Sequence, residues 1–131
     1  MIGLDSNILI RFLARDDSVQ SRRAVELIEQ QLSEQNPGFV SLVTIVETAW
    51  VLERSYRLSD AIVAAAIERT LQIDSLVIEH EGEVSAAMET LKAGLGSFAD
   101  ALIGELGARA GCAKTMTFDR QAAALPNFQL L

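Results

Sequence analysis

The stretch Met1-Ile2-Gly3-Leu4-Asp5-Ser6-Asn7 decides how the rest of the chain reads. A short apolar run stops at a carboxylate, and a helical pattern over Ile8–Ala14 follows at once. In an open parallel sheet, ligands sit just outside the carboxyl ends of the strands. A first strand ending in Asp5 therefore sets a negative charge on the edge where such folds do chemistry.

Outward from that stretch, strands and helices alternate. Asp16-Asp17-Ser18 breaks the first helix, and a second is expected over Val19–Gln35, with Ala24, Val25, Ile28 and Leu32 on one face. Asn36-Pro37-Gly38 is turn chemistry, and Phe39-Val40-Ser41 reads as a buried strand. Helices over Leu42–Tyr56 and Asp60–Leu71, the second capped by Ser59, lead to a strand over Leu76–Ile78. A helix over Glu81–Ala93 ends at Gly94, and Ser97 opens another that stops at Gly111. Cys112–Phe118 reads as a strand ending at Asp119, and a helical turn over Arg120–Ala124 precedes a last strand, Phe128–Leu131. The alternation implies an α/β fold: a mainly parallel sheet of about five strands with helices on both faces, in a single domain spanning 1–131.

Composition narrows the class. Half of the 131 residues are apolar and only 5% aromatic, so the core is aliphatic. No run approaches the roughly 18 apolar residues of a membrane span. No signal-like segment is visible, so a cytoplasmic protein is expected. The single Cys112 has apolar neighbours and reads as an inert buried thiol, in keeping with a reducing compartment. A net charge of −7 speaks against nucleic acid, yet its distribution matters more. Setting aside Asp5, Glu47, Asp100 and Asp119 leaves 14 acids against 11 bases. More than half of the net charge thus belongs to four residues, which bound cations would neutralise.

These four acids stand out by position. Asp5 and Asp119 each follow an apolar strand, although Asp is also common in turns and caps there. Glu47 shares a helix face with Val43, Trp50 and Val51, and a carboxylate on an apolar face is costly unless it has a task. Thr44-x-x-Glu47 also fits a capping box, but Ser41 is an equally good cap. Ser97-x-x-Asp100 is a credible capping box, which leaves a lone pair of Asp100 for other use. In a βα arrangement two strand ends and two helix starts come to one edge. Four carboxylates there need protons or cations. With no Cys/His cluster, an all-oxygen site suits Mg²⁺ or Mn²⁺ rather than Zn²⁺. Such sites suit in-line displacement at phosphorus.

Asp5-Ser6-Asn7-Ile8-Leu9, Glu47, Phe98-Ala99-Asp100-Ala101-Leu102-Ile103 and Thr117-Phe118-Asp119 resemble the motifs of PIN-domain nucleases, in order and over essentially the whole chain. More narrowly, the chain resembles VapC-type toxins of bacterial toxin–antitoxin pairs. The resemblance implies a doubly wound sheet and Mg²⁺- or Mn²⁺-dependent endoribonuclease activity on RNA. It also implies a homodimer and inhibition by a cognate antitoxin. Asp5 and Asp100 would be the principal metal ligands, Glu47 would complete the site or orient the water, and Asp119 would be the fourth acid. Asn7 and Thr117 match polar positions that support the acids. Ser97 stands where many relatives carry another acid, which bears on the binding of a second metal.

Two other readings compete. One is a non-catalytic PIN-like interaction module, towards which Ser97 points. The other is a metal-dependent phosphatase, against which stands the absence of an Asp-x-Asp pattern, since Asp5 is followed by Ser6-Asn7. His80, the one histidine, is expected in a solvated loop, and Lys92, Arg109, Lys114 and Arg120 on the solvated surface. Trp50 and Tyr56 flank the third helix and would either pack in the core or border a groove for a partner helix.

Overall fold

A computed structural model describes residues 1–131. Its contacts divide the chain into two compact units, Met1–Glu81 and Gly82–Leu131.

In the first unit, β1 (Ile2–Gly3), β2 (Gly38–Val40) and β3 (Leu76–Ile78) form a parallel sheet in the order β1-β2-β3. The register pairs Ile2 with Gly38 and Gly38 with Leu76. Gly38 is closely packed there. A Cβ would lie 2.8–3.0 Å from side-chain methyls of Leu32, Leu4 and Leu76, so a side chain there would require these three leucines to repack. Four helices complete the unit: α1 (Ser6–Ala14), α2 (Ser18–Glu26), α3 (Leu42–Arg54) and α4 (Asp60–Leu71). Their buried side chains are chiefly aliphatic, with Phe12 the one large aromatic sealed in this unit.

The second unit holds α5 (Glu81–Lys92, its first residue shared with the unit boundary), α6 (Phe98–Arg109), β4 (Thr115–Thr117), α7 (Arg120–Ala123) and β5 (Phe128–Leu130). β4 and β5 pair in parallel. Gly94 and Gly111 end their helices as expected, at φ of 72° and 95°. Each is followed by a residue whose N–H returns to a carbonyl five positions back, Leu95 to Thr90 and Cys112 to Gly107. This is the Schellman closure that glycine's left-handed backbone permits.

The α/β class with five parallel strands is as expected, in two ladders of three and two strands. Four local readings are corrected. The first helix begins at Ser6, two residues early, because Asp5 caps it. The helix expected to reach Gln35 changes at Leu27–Gln31 to a π turn, and Leu32 is extended. The strand expected from Cys112 starts only at Thr115, because Cys112 closes the Schellman turn. Cys112 is for that reason exposed, not a core thiol.

Candidate active site

Asp5 occupies the junction of β1 and α1. Its backbone is extended, and its Oδ1 accepts the N–H of Ser6 at 2.8 Å, so it serves as the N-cap. Capping uses one lone pair and leaves the carboxylate exposed with the others free. Ser6 itself is buried, and its hydroxyl donates to Oε1 of Glu47. A contact across 41 positions thus ties the start of α1 to α3.

Three further bonds set the start of α3. Ser41 Oγ accepts the N–H of Thr44 at 3.2 Å, Glu79 Oε1 accepts the N–H of Leu42 at 2.9 Å, and Thr44 Oγ1 donates to the carbonyl of Leu4 at 3.3 Å. Ser41, not Thr44, is therefore the cap, and the side chain of Glu47 turns to Ser6. The expectation that Glu47 lies on a buried apolar face is overturned. The buried stripe of α3 is Thr44, Ile45, Thr48, Ala49 and Leu52. Glu47 is exposed, on the side of Val43 (76% exposed) and Trp50 (54%). α3 is apolar on nearly every side, so periodicity alone did not separate the core face from the open one.

In the second unit, Ser97 caps α6 by accepting the N–H of Asp100 at 3.1 Å. Asp100 lies in the first turn and is partly exposed. Asp119 caps α7, with its Oδ1 accepting the N–H of Gln121 at 2.8 Å. Thr117 Oγ1 accepts the N–H of Asp119 at 3.0 Å and fixes the turn after β4. Asp5, Asp100 and Asp119 thus stand at or within the first turn of a helix N-terminus, where the helix dipole favours negative charge; Glu47, in the second turn of α3, does not.

No group of three or more His, Cys, Asp or Glu side chains is arranged to hold a metal ion. The fit to a divalent cation rests on donor chemistry. Asp5, Glu47 and Asp119 are exposed and Asp100 half-exposed, and carboxylate oxygens as donors suit Mg²⁺ or Mn²⁺.

A PIN domain family model matches residues 2–127. The chain belongs to the PIN domain family. PIN domains are generally metal-dependent nucleases and typically bind a divalent metal. No curated protein and no solved structure matches this PIN domain.

Two residues beside the expected acids were missed. Glu79 follows β3 as Asp5 follows β1 and Asp119 follows β4, so the same signal of an acid after an apolar strand could have found it. Ser6 has no such local signal, since its partner lies in another element. Asn7 is exposed in the first turn of α1 and faces a cleft. His80 is exposed, at a positive φ of 49°. Among the basic residues, Arg109 pairs with Glu83 at 2.8 Å and Lys114 donates to the carbonyl of Pro126 at 3.0 Å. No helix is long and apolar enough to cross a membrane.

Proposed function

We propose that this PIN domain, a single domain over residues 1–131, is a metal-dependent endoribonuclease and the VapC-type toxin of a toxin–antitoxin pair. The observation that carries the nuclease reading is one family match running from residue 2 to 127, through all four acids. Asp5 and Asp100 would be the principal holders of a Mg²⁺ or Mn²⁺ ion, with Glu47 and Asp119 completing the set. When bound, such an ion lowers the pKa of an attacking water and stabilises the leaving oxygen of an RNA phosphodiester. The chain's own contribution is positioning. Ser6 holds one oxygen of Glu47 and leaves the other free. Thr117 fixes the backbone that presents Asp119. Ser97 anchors the turn that carries Asp100. Asn7, one residue beyond Ser6, would support the acids.

A cytoplasmic setting, a homodimer and a cognate antitoxin complete the reading. The exposed Val43 and Trp50 on α3 and Ile62 on α4 support a protein partner, since apolar side chains left open on helices are interaction material. The same side chains favour the second reading, an interaction module without catalysis.

RNA cleavage decides between the two. Purified protein with Mn²⁺ is expected to cut RNA, to stop with EDTA, and to lose the activity in Asp5→Asn and in Asp100→Asn. Partner binding that persists while wild type and both variants leave RNA intact would establish the interaction module instead.

A further inference from the structure

Within the first unit, α1, α2 and the π turn enclose a cleft of about 460 Å³. It begins at Asn7, two residues past Asp5, and its walls carry Arg11, Gln20, Arg23, Glu26 and Gln31. That volume is in the range of a small-ligand pocket. Two guanidiniums face one carboxylate, and three side-chain amides stand among them.

The two arginines differ. Arg11 is held in place, with Nε donating to Gln20 at 2.8 Å and Nη1 to Asp16 at 3.0 Å. Tyr56 in turn donates to the other oxygen of Asp16 at 2.8 Å, so a phenol and a carboxylate orient the guanidinium. Arg23 is exposed and makes no ion pair or hydrogen bond. A free guanidinium beside a fixed one is suited to an anion that is gripped on arrival. The π turn widens the helix at Leu27–Gln31 and carries Leu27 and Gln31 on the cleft wall. Such turns occur frequently at functional sites.

We propose that this cleft is a subsite for single-stranded RNA next to the reacting phosphate. Arg23 and Arg11 would take a backbone phosphate, and Asn7, Gln20 and Gln31 would hydrogen-bond an unpaired base and its ribose. The inference rests on the nuclease reading for its substrate class. The lining chemistry argues for RNA over a protein helix, because a partner helix needs a predominantly apolar groove, whereas here six of the nine lining residues are polar or charged, beside Ile8, Ala24 and Leu27. The cleft is also too small for a duplex, whereas proteins read RNA sequence chiefly through unpaired bases.

The test is fluorescence anisotropy with a fluorescein-labelled single-stranded RNA dodecamer of mixed sequence, in EDTA so that nothing is cut. Arg23→Gln is compared with Arg22→Gln, its exposed neighbour outside the cleft. Arg23→Gln is expected to weaken binding at least fivefold and to reduce the slope of log K against log salt by about 0.7, one phosphate contact on a single strand. Arg22→Gln is expected to change binding less than twofold. Equal effects of the two variants, or no binding by wild type, would overturn the subsite, the latter in favour of a polypeptide occupant. Cleavage with Mn²⁺ is measured separately. Wild-type cleavage with an unchanged KM in Arg23→Gln overturns the subsite and leaves the nuclease standing. RNA binding in EDTA that depends on Arg23, without cleavage by wild type, overturns the nuclease and with it the place of the cleft beside a reacting phosphate, leaving only an RNA-binding surface.

Discussion

The two units present their acids in different ways. In the first, Glu47 is held by Ser6 across 41 positions, and Ser6 is the residue that Asp5 caps. In the second, Asp100 and Asp119 are held by neighbours in sequence: Ser97 and Thr117 accept their backbone N–H groups, and the Asp119 carboxylate accepts the N–H of Gln121. Glu47 thus depends on tertiary structure, whereas Asp5, Asp100 and Asp119 depend on local turns. Replacing a holding residue should therefore cost function in the first unit and local stability in the second.

The acids themselves carry the largest effect. Asp5→Asn keeps the cap acceptor and removes the charge. RNA cleavage with Mn²⁺ is expected to fall about a thousandfold, roughly 4 kcal/mol of barrier, with Tm nearly unchanged. Asp100→Asn is expected to do the same. If only one of the two variants loses activity, the units do not contribute alike and the comparison fails at its root.

Ser6→Ala tests the tertiary link directly. It frees Glu47 while leaving every acid in place. Residues that orient ligating groups typically cost 10- to 100-fold when lost, and cleavage should fall by about that much, roughly 1.4–2.8 kcal/mol. Denaturant unfolding should show a loss near 1 kcal/mol, the usual value of one hydrogen bond. Activity that follows stability alone would mean that Ser6 supports the fold and not the acid.

Ser97→Ala tests the local case. Its expected cost is about 1 kcal/mol of stability, typical for a lost N-cap, read as a lower midpoint in urea. Ser97→Asp is the sharper variant. It retains the cap and adds a carboxylate one turn before Asp100. Tighter Mn²⁺ binding by calorimetry, with unchanged stability, would tie this turn to metal affinity.

The same contrast explains what could be read in advance. Caps, stops and strand ends are written in adjacent residues, so Ser59, Gly94, Ser97 and Gly111 were placed correctly from the sequence, and the α/β alternation followed. Asp5 and Asp119 belong to this local class. Glu47 was singled out, but on a mistaken premise, because α3 buries its Thr- and Ala-containing face and leaves Val43 and Trp50 outside. The Ser6–Glu47 bond and the Arg11–Asp16–Tyr56 chain join elements far apart in sequence, and no local pattern announces them. The π turn was missed for a related reason. Its residues keep a helical apolar rhythm up to Leu32, and only the carbonyl of Leu27, which accepts the N–H of Leu32 at 2.9 Å, shows the wider turn.

The smallest expected effect belongs to that exposed chain on the first unit. The phenol of Tyr56, then the Arg11 guanidinium, hold the Asp16 carboxyl below the ordinary carboxylate range, and Asp16 pushes the Tyr56 hydroxyl upward. A carboxyl whose pKa is depressed by folding binds fewer protons folded than unfolded, so stability rises with pH across that window. The contribution of Asp16 is then complete above pH ~4, the unfolded value, and is lost as pH falls through the lower folded one. The raised Tyr56 acts in the opposite sense: its share is complete below pH ~10 and is lost as pH rises through the folded value. Tyr56→Phe should therefore lower Tm slightly at neutral pH, and the gap from wild type should close as pH falls through the depressed folded value of Asp16. A gap that persists unchanged in acid would mean that Tyr56 acts by packing, and that Arg11 is oriented at the cleft by Gln20 without help from the phenol.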